Sequence, residues 1–230
     1  MSFLNMNALQ VFLAGGPLML VIALCSIFSL AIVGEKYWQL NIQFKADAKK
    51  ILNAVIEQLK INQVKAAIGI CSNSRGPVAN ILKAGVLKSE SSRDEVKQAM
   101  EDASLYEIPR LENHLGLLAT IGHISPLLGL LGTVTGMVKC FQTIQIKATS
   151  INPVNPGDLA GGIWEALLTT VAGLTVAIFT FVAYNYFVSR VNNHVLDMER
   201  SATELVNFVT QYKESRTPIR NGRNNKRNRP

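Results

Sequence analysis

The chain has 230 residues, a formal net charge of +7 and a positive mean hydropathy, and charged residues make up 17% of it. Charge is absent from residues 1–34, 115–138 and 166–189, and it is concentrated between and after these runs. This partition excludes an ordinary soluble domain and is typical of a membrane protein that has several spans and one sizeable polar region. The sequence also contains no nucleotide-binding loop, no Ser/His/Asp set and no CxxC or Cys/His cluster, so we predict no enzyme activity, no catalytic residues, no metal site and no cofactor.

The first uncharged run predicts a transmembrane helix over residues 11–33, preceded by an N-terminus of residues 1–10. The alternative is a cleaved signal peptide, which needs positive charge in its first residues and a short apolar core. Residues 1–10 contain no Lys or Arg, and the uncharged run is too long for such a core. We therefore expect the helix to be retained in the membrane.

Basic residues indicate how the chain is oriented in the membrane. Residues 34–114 carry 12 Lys and Arg and residues 189–230 carry nine, whereas residues 139–165 carry two and residues 1–10 carry none. Because membrane proteins retain Lys and Arg on the cytoplasmic side, the polar region 34–114 and the C-terminal tail are predicted to be cytoplasmic. The N-terminus and the segment 139–165 are then predicted to face outward.

Helical signals dominate the polar region, and no strand-like alternation competes with them. Pro77 is well placed for the first turn of a helix. Ser91 or Ser92 predicts the N-cap of a further helix, which has Glu95 in its first turn. We expect Pro109 to bend or interrupt this helix before the second span.

The second span, residues 115–138, carries small residues alternately three and four positions apart, which places them on one face of a helix. Small residues let membrane helices approach closely, so this face is predicted to pack against another helix. Thr133 lies beside the face, and His123 is the one ionisable side chain of the span. The residues of the face are Gly122, Ser125, Gly129, Gly132 and Gly136.

An outward-facing loop and the start of a third helix are predicted over residues 139–165, followed by a third span over residues 166–188. A stripe of small and polar residues runs along this span at the same spacings and comprises Thr170, Gly173, Ala177, Thr180 and Tyr184. Two interpretations of the stripe stay open: it forms a close helix contact, or it lines a narrow aqueous path. We assign Gly173 and Ala177 to helix packing, and we treat Thr180 and its neighbour Thr169 as further candidates for the path.

The tail, residues 189–230, is predicted to begin as a helix and to end in a basic, disordered segment. Its charge most simply reflects attraction to anionic membrane lipids. Nucleic-acid binding is disfavoured, because no aromatic residues are interleaved with the basic ones.

Polar residues near the outer ends of the second and third spans are the candidates for an ion pathway. Thr133 lies five residues before the end of its span and Thr170 lies five residues after Glu165, so both hydroxyls are about 7.5 Å inside the boundary. Neither hydroxyl titrates, but each could orient water or donate to a carboxylate. Glu165 would be an ionisable group at the mouth of the path or simply an interfacial carboxylate. His123 is a further candidate, with a neutral, hydrogen-bonded imidazole as the alternative.

Two segments resemble the ExbB/TolQ/MotA family of ion-driven motor subunits. They are residues 125–137 (SPLLGLLGTVTGM) and residues 162–174 (GIWEALLTTVAGL). Residues 76–79 (GPVA) and 110–112 (RLE) resemble the same family, and the resemblance covers roughly residues 10–210. Three spans rather than four resemble the ExbB/TolQ branch.

The resemblance implies an all-α membrane protein with three transmembrane helices and long helical extensions, assembled as a pentamer around the single helices of an ExbD- or TolR-like partner. In that family the proton-binding aspartate belongs to the partner. The family's polar lining positions match Thr133 and Thr170, and its glutamate matches Glu165, whereas His123 has no counterpart.

The implied function is that of an ExbB-like subunit in the inner membrane of a Gram-negative type of bacterium. It would use the proton gradient to energise TonB-dependent transport across the outer membrane, through a TonB- or TolA-like protein. A TolQ-like role in envelope integrity is one alternative, and a membrane scaffold without ion flux is another. The choice between protons and sodium ions stays open.

Overall fold

The computed structural model describes residues 15–44, 48–148 and 155–216. Within these residues the backbone forms seven α-helices and no β-strand. The N-terminus of residues 1–10, the first residues of the first predicted span and the basic end of the tail all lie outside the described residues. The helices are α1 (Gly16–Trp38), α2 (Ala48–Lys60), α3 (Val64–Asn73), α4 (Pro77–Leu87), α5 (Arg93–Glu112), α6 (Leu115–Ala148) and α7 (Pro156–Arg216), and a π-helical segment (Gln39–Gln43) follows α1.

Three stretches of helix are long and apolar enough to cross a membrane, and they contain α1, α6 and α7. This finding confirms the predicted all-α fold with three candidate transmembrane helices. α6 has 34 residues and α7 has 61, whereas about 20 residues cross the hydrocarbon core of a bilayer. Both helices are therefore longer than a membrane crossing requires. The bounds predicted for the three spans, and their orientation, stay predictions.

The chain divides into two compact units. The membrane unit comprises Met1–Tyr37 and His114–Val188, as far as these segments are described, and it contains most of α1, all of α6 and the first half of α7. The polar unit comprises Trp38–Asn113 and Ser189–Pro230, again as far as described, and it contains α2 to α5 and the second half of α7.

The core of the polar unit consists of apolar side chains from all of its helices. Val55 of α2, Leu82 of α4, Val96 of α5 and Leu205 of α7 are completely buried. Cys71 of α3 lies in the same core, and burial raises the pKa of its thiol to about 11. The helical periodicity of the apolar residues thus accounts for the packing of this unit.

α5 begins at one of the two predicted capping residues. Ser92 is the N-cap, and its Oγ accepts a hydrogen bond from the backbone N–H of Glu95 at 3.3 Å. The Ser92 hydroxyl also lies 3.0 Å from Oε1 of Glu95, to which it donates. Serine at the cap and glutamate three positions later is the sequence pattern in which the serine oxygen accepts the N–H of the third helical residue, as it does here.

The break between α5 and the second apolar run differs from the prediction. α5 includes Pro109 and continues to Glu112, and the chain turns instead at His114, which has a positive φ of 62°. Pro109 removes the hydrogen bond to the carbonyl of Leu105, and Leu105 is 71% exposed, so solvent can satisfy that carbonyl. The helix is therefore not interrupted at Pro109, and a bend there stays a prediction.

Candidate ion pathway in the membrane unit

The small-residue face of α6 lies against α7 within the same chain. All five of its residues are buried. At Gly136 an added Cβ would lie 2.6 Å from the carbonyl oxygen of Gly162 and 2.7 Å from Cβ of Ala166. At Gly173 of α7 it would lie 2.5 Å from the carbonyl oxygen of Ser125. These distances are shorter than van der Waals contact, so each position requires glycine for the observed approach.

In the contacts between α6 and α7, residue numbers fall along α6 as they rise along α7. Gly136 meets Gly162, Gly129 meets Thr170, and Gly122 meets the ring of Phe181. The two helices are thus antiparallel neighbours over about four turns. We call this contact the glycine seam.

Two threonines of α7 place their hydroxyls at the glycine seam. Oγ1 of Thr169 lies at Gly132, and it donates to the carbonyl of Ala166 at 2.9 Å. Oγ1 of Thr170 lies 3.0 Å from the carbonyl oxygen of Gly129 on α6 and 3.1 Å from that of Ala166. Thr169 is 1% exposed, whereas Thr170 is half-buried. Only Thr170 therefore combines a contact between the helices with access from outside the seam.

Thr133 is also half-buried, but its hydroxyl donates to the carbonyl of Leu130 on its own helix at 2.7 Å. The structure does not join it to Thr170, which bonds to Gly129 one helical turn away. Both hydroxyl oxygens keep lone pairs that can accept a hydrogen bond from water. The pair can thus orient water, but it cannot itself carry a proton.

The polar stripe of α7 is mostly buried inside the membrane unit. Oγ1 of Thr180 lies 2.9 Å from Oγ of Ser29 on α1, and these residues are 1% and 6% exposed. Ala177 is 3% exposed, and Gly173 lies in the glycine seam. Sequence reasoning missed Ser29, since a single serine in an apolar run carries no sign of its partner.

Glu165 forms an ion pair with Lys139. Nζ of Lys139 lies 2.6 Å and 2.8 Å from the two carboxylate oxygens. The carboxylate of Glu165 also lies against Gly16, the first residue of α1, whose φ is +66°. The side chain of Glu165 is 21% exposed and that of Lys139 is 50% exposed. Sequence reasoning missed Lys139, although it is the first charged residue after one uncharged run and Glu165 is the last before the next.

His123 stands apart from these residues. Its Nδ1 lies 2.7 Å from the carbonyl oxygen of Ala119, so Nδ1 carries the hydrogen and donates it. The ring packs edge-on against Phe181 at a centroid distance of 5.0 Å, and the side chain is exposed. The structure therefore gives His123 local partners and does not bring it to Thr133, Thr170 or Glu165.

The chemistry available in the membrane unit is limited. The three uncharged runs contain no Asp or Glu, and the described residues contain no group of three His, Cys, Asp or Glu side chains that could hold a metal ion. The arrangement offers hydroxyls along the glycine seam and one ion pair at its end.

The sequence matches known proteins along most of its length. The model of the MotA/TolQ/ExbB proton channel family matches residues 73–200. A putative biopolymer transport protein ExbB homolog of Methanothermobacter thermautotrophicus is 30% identical over 193 residues, which are 84% of this chain and 67% of that protein. A putative biopolymer transport protein ExbB-like 3 of Synechocystis is 32% identical over 76% of this chain and 82% of its own length.

Two further similarities concern other branches of the same group. A Tol-Pal system protein TolQ of Haemophilus influenzae is 41% identical over 96 residues, which are 41% of this chain and 40% of that protein. A solved structure of C. jejuni MotAB superposes with a TM-score of 0.58 and covers 91% of this chain and 81% of its own. At 16% identity this last match shows a likeness of fold alone.

Proposed function

Since the chain belongs to the MotA/TolQ/ExbB proton channel family, we propose that it is an ExbB-like subunit of a proton-driven inner-membrane motor. Its relatives from Methanothermobacter thermautotrophicus and Synechocystis carry the names of biopolymer transport proteins. The motor would energise TonB-dependent transport across an outer membrane through a TonB- or TolA-like protein.

One observation carries this proposal. The membrane unit has half-buried hydroxyls at Thr133 and Thr170, yet its uncharged runs hold no carboxylate. A carboxylate that titrates within the membrane would then be supplied by a second protein. We propose that five copies of this chain surround the single helices of an ExbD- or TolR-like partner and that an aspartate of the partner binds the proton.

The mechanism follows from the cost of charge in a membrane. An ionised aspartate is costly in the hydrocarbon core, and protonation removes that cost, so the partner helix can move when its aspartate is neutral. Each proton that crosses 100 mV releases about 2.3 kcal/mol, which is the energy available for that movement. Thr133 and Thr170 would orient the water or the partner's carboxylate along the path, and Thr169, Thr180 and His123 are secondary candidates.

Glu165 and Lys139 would mark the periplasmic mouth of this path. Their ion pair lies at the ends of the two uncharged runs that the glycine seam joins. In the topology that we propose, the N-terminus and this end of the seam are periplasmic, and residues 34–114 and the tail are cytoplasmic. The spans would then be residues 11–33, 115–138 and 166–188.

The decisive experiment measures proton flux in proteoliposomes that contain this chain with its single-span partner. We expect Thr170→Val to lower the flux by about tenfold or more, which corresponds to about 1.4 kcal/mol of added barrier. Thr175→Val is the matched control, because Thr175 is exposed on the same helix and its hydroxyl bonds only to the carbonyl of Val171 at 2.7 Å. Equal flux in both variants, with the complex intact, would contradict the assignment of Thr170 to the path.

Two other functions give different outcomes. A TolQ-like role is favoured by the relatives named TolQ, and it predicts that deletion weakens the cell envelope while TonB-dependent uptake continues. A membrane scaffold predicts no flux at all and a stabilising effect on the partner that survives collapse of the proton gradient. Replacing the proton gradient by a sodium gradient in the same vesicles identifies the ion.

A further inference from the structure

The polar unit contains a cavity of about 330 Å³ where two of its motifs meet. Arg75 and Gly76 come from the turn before α4, and Arg110 and Leu111 come from the last turn of α5. These are the segments around GPVA and RLE, which the ion pathway leaves unexplained. Because both motifs line one cavity, we asked what this cavity could bind.

The residues that line the cavity include two arginines and one glutamate. Arg75 is exposed at its rim. Nη1 of Arg110 lies 3.4 Å from Oε1 of Glu107, and Nδ2 of Asn80 donates to the same oxygen at 2.9 Å. Among the described residues, Arg110 thus uses one of its five N–H donors on Glu107. Two guanidinium groups suit a phosphate oxygen pair, and the carboxylate suits a neighbouring hydrogen-bond donor.

The cavity lies close in sequence to the ends of two membrane helices. Gln39, one of its lining residues, directly follows Tyr37 and Trp38, which are 55% and 67% exposed. Exposed aromatic residues of this kind are typical of the membrane–water interface. Arg110 lies five residues before Leu115, where α6 begins. This closeness in sequence to two candidate membrane helices makes a lipid headgroup a reasonable ligand to test.

We propose that this cavity binds the headgroup of a phospholipid, with the phosphodiester on Arg75 and Arg110 and a donor-bearing head group on Glu107. Ethanolamine and glycerol carry such donors, whereas choline does not. The site is independent of the proposed ion pathway, because no residue of the membrane unit takes part in it.

Native mass spectrometry of the full chain in detergent tests the proposal. Phosphatidylethanolamine, phosphatidylglycerol and phosphatidylcholine with identical acyl chains are titrated in turn, and sodium phosphate is titrated alone. We expect the first two lipids to bind about tenfold more tightly than phosphatidylcholine, and Glu107→Gln to remove this preference. Arg75→Gln with Arg110→Gln should weaken the binding of all three lipids by about tenfold or more.

The matched control removes the same charge from another cavity of the same unit. Arg93 and Lys97 line that second cavity, and Arg93→Gln with Lys97→Gln should leave lipid binding unchanged. Arg75→Gln alone gives a test that does not depend on folding, because this exposed side chain contributes nothing to the buried core. An equal loss of lipid binding in the control and test variants would overturn the proposal. Full displacement of the lipid by millimolar phosphate would overturn it as well, because the ligand would then be free phosphate.

Discussion

The glycine seam makes a sharp prediction about Gly136→Ala. The added methyl group would lie 2.6 Å from the carbonyl oxygen of Gly162 and 2.7 Å from Cβ of Ala166, whereas ordinary contact begins at 3.4 Å. The helices would have to separate locally by about 0.8 Å to relieve the closer contact. Neither neighbouring atom can rotate away, because one belongs to the backbone and the other is fixed to it. The substitution is therefore expected to strain the seam itself.

The substitution Gly136→Ala has two opposing effects on stability: the overpacking of the seam and a gain in helix propensity. A matched variant separates them. Overpacking of a close-packed contact costs about 1–3 kcal/mol, and replacing glycine by alanine in a helix gains about 1 kcal/mol. Gly161→Ala gains the same propensity, and its Cβ would meet no atom within 4 Å. The two variants should differ by about 1–3 kcal/mol, and about 2–4 °C of melting temperature accompanies each kcal/mol in a chain of this size.

Thermal unfolding of the purified chain in detergent, followed by circular dichroism, measures this difference. Gly136→Ala should melt several degrees below Gly161→Ala at equal protein and detergent concentrations. A melting temperature of Gly136→Ala equal to or above that of Gly161→Ala would refute the close approach of α6 and α7 on which the seam rests.

Three further predictions use the same purified chain. In a double-mutant cycle, Lys139→Met and Glu165→Gln should show a coupling of about 0.5–1 kcal/mol in thermal stability, and purely additive effects would argue against the ion pair. Ser92→Ala should destabilise the chain by about 1 kcal/mol through loss of the N-cap, whereas Ser91→Ala should have little effect in the same melting assay. Cys71 should react with N-ethylmaleimide at pH 8 about 100-fold more slowly than an ordinary thiol, because its raised pKa of about 11 leaves little thiolate. Reaction at the ordinary rate in the folded chain would show that the thiol is accessible and its pKa unperturbed.

The features that the sequence predicts well depend on local patterns. The three apolar helices follow from runs without charge, and the start of α5 follows from Ser92 and Glu95. Each of these features involves residues at most a few turns apart. Local spacing is sufficient there, because the favourable contacts form within one helix.

The features that the sequence does not predict depend on the relative register of helices or on rare backbone geometry. The contact between Ser29 and Thr180 joins residues 151 positions apart, and no spacing rule links them. The turn at His114 uses a positive φ, which histidine adopts only occasionally, so no sequence pattern marks this position as the end of the helix. The ion pair of Lys139 and Glu165 could have been predicted from the sequence. In antiparallel neighbouring helices, the end of one apolar run lies beside the start of the next, so the charged residues that flank the runs lie close together.

The glycine seam also has a mechanical consequence. From Gly129 to Gly136 it is lined by backbone atoms and very short side chains, and the ring of Phe181 enters it at Gly122, so few side chains there could change rotamer and let one helix slide past the other. α6 and the first half of α7 are thus expected to behave as one stiff strut. In an assembly of such subunits, movement is not expected to arise from sliding of α6 against α7. If the chain works with a partner as we propose, the movement would arise where the subunit meets that different polypeptide.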